Sequence, residues 1–228
     1  MKLFFGKVLI KLGYLLHLPN AANEYIKTFA EIVVTNQYNV FKYIKKDSVV
    51  VDVGAFVGMF TLVASFLGKE VHSFEPNPET FKRLKWFAGW RKNVHLYNFG
   101  LGDTAGMKQY RFPKTCPAAG TFCDSDFKWV EKGTWDTLKA EIVTLDSLNL
   151  KPSFIKMDCE GYEAQVINGG RRTIDTYKPI IAMSAYHHPK DKEELPKELP
   201  NYVCTYNFDG TFEEDFLCVP KLPPLAFL

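Results

Sequence analysis

A short glycine turn carries the first residues that could do chemistry. In the run VVVDVGAFVGMF, an apolar stretch leads through Asp52 to Gly54 and Gly58, and a second apolar run follows at once. Glycine lacks the Cβ that would keep a ligand off the backbone, and it permits unusual turn dihedrals. Ligands of parallel α/β sheets bind beyond the carboxyl ends of the strands. We therefore expect a nucleotide-like cofactor at this turn.

The charge and bulk of the turn indicate which cofactor it binds. A dinucleotide-binding turn begun at Gly54 would need glycine where Phe56 and Met59 stand, which argues against NAD and FAD. Asp52 would repel a phosphate and attract a cation. S-adenosylmethionine carries an ammonium and a sulfonium and no phosphate, so it fits these residues better.

A second carboxylate follows the next predicted strand. Glu75 stands 21 positions after Gly54 (75 − 54), about the spacing of an acid that binds ribose hydroxyls. Hydrogen bonds to a charged acceptor contribute about 1.5 to 3 kcal/mol each, so Glu75 could supply much of the affinity for adenosine. The alternative is an exposed acid before the turn EPNP, but the glycine turn upstream favours ligand binding.

Acids and histidines at the ends of two later strands are candidates for the acceptor side. Methyl transfer from a sulfonium needs an aligned acceptor oxygen and a group that takes its proton. Asp158 and Glu160 follow the fourth predicted strand, and His187 and His188 follow the fifth, where only one of two adjacent residues can face the site. A divalent metal ion could be held by Asp158, Glu160 and His188. The alternative for either acid is a cap on the following helix.

Alternating strand and helix patterns position these residues. Five strands are predicted, and two further strand-like runs close the chain; the five are Val49–Val53, Val71–Phe74, NVHLYNFG, SFIKMD and PIIAMSAYHH. The alternation predicts an α/β fold with a doubly wound, mostly parallel sheet of seven strands. We expect one domain over 1–228, with helices in 1–46, the core in 47–228 and an insertion at about 106–140.

Composition limits the remaining possibilities. The 228 residues are 46% hydrophobic, which is sufficient for one core, and the net charge of +2 produces no strong field for nucleic acid or anionic membranes. Five cysteines without a C-x-x-C pair indicate neither a disulfide scaffold nor a zinc ribbon, and they favour a reducing cytosol.

Two basic stretches bear on membranes and nucleic acids. Lys7 and Lys11 interrupt the apolar run of residues 1–18, which argues against a signal peptide. A helix packed on the protein's own core is favoured there, and an amphipathic membrane-surface helix stays open. The run FKRLKWFAGWRKN mixes basic residues with tryptophan, but such runs are more often solvated helix faces, so we do not expect a nucleic acid acceptor.

Four stretches in matching order resemble the FkbM family of S-adenosylmethionine-dependent methyltransferases. They lie between Val49 and Gly170 and read VVVDVGAFVGMFTL, HSFEPNPETFKRLK, NFGLGDTAG and LDSLNLKPSFIKMDCEGYEAQVINGG. The D-x-E-G-x-E run in the last is the most specific. The resemblance implies a Rossmann-like class I methyltransferase fold with αβα layers and an antiparallel last strand. It also implies methylation of a hydroxyl, often on a sugar or polyketide.

The resemblance further implies a set of cofactor-binding residues. Members of the set are expected around the methionine part, the ribose and the adenine: Asp52, Gly54, Ala55, Phe56, Gly58, Glu75, Pro76, Asn77, Gly100 and Leu101. Phe56 departs from the family, which usually has asparagine there, so a side-chain amide contact is lost or moved to the backbone.

These observations predict a cytoplasmic S-adenosylmethionine-dependent methyltransferase. Its expected acceptor is a hydroxyl on a sugar, glycolipid or other small molecule, and a location peripheral to a membrane stays open through residues 1–18. One alternative is N-methylation of a small molecule or peptide. Another is a binding protein that retains the cofactor pocket without turnover.

Overall fold

The elements of the fold alternate between strand and helix through most of the chain. A computed structural model describes residues 20–114, 120–123, 134–207 and 214–221, with only the backbone of 20–24. In chain order the main elements are α1 (Asn20–Phe29), α2 (Val40–Tyr43), β1 (Val49–Val53), α3 (Met59–Leu67), β2 (Glu70–Phe74), α4 (Pro78–Ala88), β3 (Val94–Tyr97), β4 (Gly100–Leu101), β5 (Gly106–Pro113), β6 (Trp135–Val143), β7 (Phe154–Met157), α5 (Glu163–Gly169), α6 (Arg171–Tyr177), β8 (Ile180–Ser184), α7 (Asp191–Glu194), β9 (Tyr202–Asn207) and β10 (Asp215–Pro220). A π-helical turn, Ala30–Val34, extends α1, and 3-10 turns follow β6 and α7.

Seven strands form the central sheet in the order β3-β2-β1-β7-β8-β10-β9. The first five are parallel, and β10 runs antiparallel to both of its neighbours. The predicted α/β class, the mostly parallel seven-stranded sheet and its antiparallel last strand are therefore confirmed.

Apolar residues on both faces of the central strands build the three layers. Successive strand residues point to opposite faces, so Val50 packs with α3 and the π-helical turn, while Val51 packs with α5 and α6. Burial on both faces explains why these strands are continuous apolar runs. Because β1, β2, β7 and β8 run parallel, their carboxyl ends lie at the same edge of the sheet.

The predicted insertion contains a second, smaller sheet. Its strand order is β4-β6-β5, and β5 and β6 pair antiparallel along their length. Thr121 joins the edge of β5 through reciprocal backbone hydrogen bonds with Arg111 of 2.8 and 2.9 Å. This pairing fixes residues 120–123 beside the carboxyl edge of the main sheet.

The amino-terminal helices pack against the core. The Tyr25 ring of α1 contacts Phe87 of α4 with 4.9 Å between ring centroids. The helix expected in residues 1–18 lies outside the described residues, so its packing on the core stays a prediction and the membrane-surface alternative stays open. Across the described ranges, the helices are too short or too polar to span a bilayer.

Two cysteines form a disulfide bond that was not expected from the sequence. Cys204 and Cys218 occupy directly opposed positions in β9 and β10 and form a disulfide. Their spacing of 14 residues gave no signal, because only the pairing register of the closing hairpin brings them together.

We predict that reduction destabilises the protein through this bond. Closing a loop of 14 residues removes conformational freedom from the unfolded chain, so a reductant should lower the unfolding free energy by about 3 kcal/mol. Urea unfolding with and without tris(carboxyethyl)phosphine measures the difference. The double variant Cys204→Ala/Cys218→Ala should lose this response, and an unchanged response would show that another thiol causes it.

Candidate active site

The glycine turn between β1 and α3 is required by close backbone packing. Gly54 has φ +72°, and a Cβ on it would lie 1.8 Å from the carbonyl oxygen of Asp158. Gly58 has φ +94°, and a Cβ there would lie 2.6 Å from Leu84 in α4. These glycines therefore let the turn fit against the end of β7 and against α4, a reason different from the ligand approach expected from the sequence.

Asp52 forms a buried ion pair beneath the turn. Its Oδ1 lies 3.2 Å from Nζ of Lys156 in β7, and its Oδ2 accepts a 2.7 Å hydrogen bond from Thr61. Lys156 also donates to the carbonyl of Gly54 at 2.7 Å. Burial opposes the charge on Lys156, but the Asp52 and Asp158 carboxylates together outweigh it, and the pKa of Lys156 is raised. Asp52 thus neutralises Lys156 and does not line the cavity described below.

Glu75 lies at the carboxyl end of β2, directly beside the turn. Its Oε2 accepts from the backbone N–H of Phe56 at 3.0 Å, and its Oε1 accepts from that of Asn77 at 2.9 Å. Burial raises the pKa of Glu75 to about 7. The Asn77 side chain caps α4 by accepting from the N–H of Glu79 at 3.0 Å, so this side chain is used within the protein.

A cavity of about 230 Å³ opens at this edge of the sheet. Most residues of the expected cofactor and acceptor sets line it: Gly54, Ala55, Phe56, Glu75, Pro76, Gly100, Leu101, Asp158 and Glu160. Asp52, Gly58 and Asn77 stand behind its wall. The structure therefore brings the two sets together around one space.

Two walls of the cavity come from residues outside the expected cofactor and acceptor sets. Tyr110 and Phe122 of the insertion form one, and Phe122 contacts Tyr162 with 5.5 Å between ring centroids. Thr121 anchors this wall by donating a 2.7 Å hydrogen bond to the carbonyl of Glu160. The other wall is the end of α1 with the π-helical turn, including Glu31. Both depend on tertiary packing, which composition does not reveal.

Beyond the cavity wall, His187 is surrounded by carboxylates. Its Nε2 lies 3.0 Å from Oε2 of Glu160 and 3.9 Å from Oδ1 of Asp158, and its Nδ1 lies 3.5 Å from Oε1 of Glu163. Burial alone would lower the pKa of His187, but Glu160 and Glu163 raise it to about 12. His187 is therefore a cation at neutral pH in this arrangement, and a proton from an acceptor would go to a carboxylate.

Glu163 was missed by the sequence analysis, although it is the last acid of the D-x-E-G-x-E run. Burial would raise the pKa of Glu163, but the contact with His187 and the 3.0 Å hydrogen bond from the N–H of Cys159 lower it. The run itself was the available signal, and only the fold shows that Glu163 turns back toward His187.

His188 is not brought to the acids. Its backbone N–H donates to Asp191 at 2.7 Å, and its ring lies against Gly161. It borders a separate depression with Cys123 and Gln165. The metal set expected from the sequence, Asp158, Glu160 and His188, is therefore not assembled, because His187 is the histidine that faces the acids.

A parallel sheet with an antiparallel final strand and a ligand cavity at its carboxyl edge defines the class I methyltransferase fold. The chain belongs to the FkbM methyltransferase family, since residues 52–209 match the family's sequence model for the methyltransferase FkbM domain. The predicted membership is confirmed.

Individual relatives agree with this assignment. Over 174 residues the chain is 28% identical to the hexuronic acid methyltransferase AglP of Haloferax volcanii, covering 74% of this chain and 70% of that one. The solved structure of an FkbM methyltransferase from Methylobacillus flagellatus KT matches with a TM-score of 0.55 at 17% identity, over 88% of this chain and 55% of that chain. This chain therefore spans little more than half of that protein.

A second solved structure, like the first, supports the fold alone. An rRNA methylase from Streptococcus thermophilus matches with a TM-score of 0.52 at 11% identity, over 83% of this chain and 95% of that one.

We predict that Gly54→Ala disrupts the turn. The left-handed backbone costs a residue with a Cβ roughly 1 to 2 kcal/mol, and the overlap with Asp158 adds to this, so the unfolding free energy should fall by at least about 2 kcal/mol. Gly68→Ala is the matched control, since a Cβ there would lie 3.1 Å from its nearest neighbour without positive φ. Equal losses in urea unfolding for the two variants would contradict the packing argument.

Proposed function

We propose that this protein is an S-adenosylmethionine-dependent methyltransferase that methylates a hydroxyl of a sugar, with a hexuronic acid residue as the favoured acceptor. The observation that carries the proposal is the Glu75 carboxylate, which lines the cavity beside the glycine turn. Each of its oxygens accepts one backbone N–H and keeps a further lone pair for a ribose hydroxyl.

The backbone of the turn supports a cofactor without phosphate. Phosphate-binding turns point free N–H groups at the ligand. Here Gly54 and Ala55 both donate to the carbonyl of Phe74, at 3.1 and 3.0 Å, and Phe56 donates to Glu75. Because these donors are used within the protein, the turn suits adenosine attached to an amino acid better than it suits a dinucleotide.

The acids on the opposite wall support transfer to oxygen. In the proposed reaction the bond between sulfur and methyl breaks as the methyl bonds to the acceptor oxygen. The hydroxyl proton passes to the carboxylate of Asp158 or Glu160, leaving a methyl ether and S-adenosylhomocysteine. Both acids line the cavity, and cationic His187 holds them in place. The hexuronic acid methyltransferase of Haloferax volcanii supports a sugar acceptor.

We predict that affinity for S-adenosylhomocysteine depends on Glu75 and on pH. Hydroxyl donors favour the ionised carboxylate, whose pKa is about 7 in the free protein. Affinity should therefore be full above pH 7 and fall up to tenfold per unit as pH drops below it. Glu75→Gln should weaken binding roughly 10- to 100-fold in calorimetry and remove the pH dependence.

The control for this measurement is Glu79→Gln, which removes an exposed acid at the start of α4. It should leave both affinity and pH dependence unchanged. Binding of NAD as strong as that of S-adenosylhomocysteine would contradict the proposed cofactor.

We predict that the two cavity acids govern turnover and not cofactor affinity. Asp158→Asn and Glu160→Gln should together lower the transfer rate by roughly 10² to 10⁴, the usual range for loss of a general base. Transfer of labelled methyl to saccharides containing hexuronic acid measures the rate, and His188→Asn serves as the control that keeps it. Transfer to an amine would favour an N-methyltransferase, and tight cofactor binding without transfer would favour a binding protein.

A further inference from the structure

The side chains around His187 have the spacing of ligands around a divalent ion. Oxygen and nitrogen atoms bound to one octahedral ion at 2.0–2.1 Å lie about 3 Å apart when adjacent. Nε2 of His187 lies 3.0 Å from Glu160 and 3.9 Å from Asp158. Ligand atoms of Asp158, Glu163 and His187 all lie within 4.8 Å of one another. Because oxygens of both Asp158 and Glu160 lie within 4 Å of Nε2, small rotations of these two side chains would bring them and Nε2 of His187 to a common centre.

The second nitrogen of His187 is fixed from behind. Nδ1 faces Oε1 of Glu163 at 3.5 Å, and this same oxygen accepts the N–H of Cys159 at 3.0 Å. Metal-binding histidines commonly donate their other ring N–H to a carboxylate, which sets the ring orientation and the tautomer. Glu163 is thus placed to direct Nε2 toward the two remaining acids.

Exposure divides the cluster in two. The side chains of Asp158 and Glu160 are 22% and 18% exposed and border the cavity, whereas those of His187 and Glu163 are 3% and 1% exposed. An ion bound by this group would have the buried side chains of His187 and Glu163 on one side. Its open positions would face the cavity, as catalytic metal sites require.

We propose that His187, Asp158 and Glu160 bind a divalent metal ion at the acceptor side of the cavity, with Glu163 as the positioning residue for His187. One nitrogen and two carboxylates form a donor set that accommodates Mn²⁺, Fe²⁺ or Zn²⁺. The proposal rests on the proposed function for its chemical meaning, since a bound ion would lower the pKa of a coordinated acceptor hydroxyl. Without an ion His187 carries a proton on Nε2, and a bound ion would replace that proton, so binding releases a proton to solvent. The binding of the ion itself is independent of turnover.

The test is direct titration of the full chain with Mn²⁺, followed by electron paramagnetic resonance and calorimetry. We expect one stoichiometric ion in the wild type. His187→Asn and Asp158→Asn should abolish it, and Glu163→Gln should weaken it roughly 10- to 100-fold. The partly exposed Asp158 gives a second route should His187→Asn fail to fold.

Two controls separate this site from its neighbours. His188→Asn changes the adjacent histidine, whose ring lies against Gly161, and His72→Gln disrupts the separate group formed by Glu70, His72 and His95. Both should retain the ion. No stoichiometric Mn²⁺ in the wild type, or binding that persists in both His187→Asn and Asp158→Asn, would overturn the proposal. S-adenosylhomocysteine affinity in the same samples reports separately on the proposed function.

Discussion

The buried ion pair between Lys156 and Asp52 is the interaction on which the cavity depends. It joins β7 to β1 across the centre of the sheet, and the same ammonium binds the carbonyl of Gly54 at the start of the turn. Removing one partner of such a pair typically costs 3–5 kcal/mol, because the other charge is left buried. The pair therefore fixes the relative position of the turn beside Glu75 and of the loop that carries Asp158.

Carboxylates near this edge have different tasks because their surroundings differ. Asp52 is neutralised by Lys156 and supports the turn, whereas Glu75 is buried, forms no ion pair with a described residue, and has its pKa raised to about 7. Asp158, Glu160 and Glu163 share the cationic His187. One side of the cavity thus suits hydroxyl donors of a cofactor, and the other can accept a proton or hold a cation.

The succession of strands and helices along the chain and the place of Glu75 at the end of β2 could be predicted from the sequence, because apolar periodicity and the spacing from the glycine turn are local signals. The contacts of individual charged side chains could not be predicted, because they join residues that are far apart in the sequence. Lys156 lies within an apolar strand, and nothing in the sequence indicated that it neutralises the acid expected to attract the cofactor. The choice of His187 over His188 depends on how the chain leaves β8. Gly54 and Gly58 lie in the turn where they were expected, but glycine is required there because the backbone packs closely against Asp158 and Leu84.

The insertion shows the same limit. Its position was predicted from the lapse in alternation, whereas the contact of Phe122 with Tyr162 depends on residues 120–123 pairing with β5.

The proposed role of Glu75 is to bind the ribose of an adenosine cofactor, and a crystal structure of the complex with S-adenosylhomocysteine would show whether it does. Ribose hydroxyls within hydrogen-bonding distance of both Glu75 oxygens are the predicted result. A ligand bound elsewhere, or a ribose with no contact to Glu75, would contradict the account.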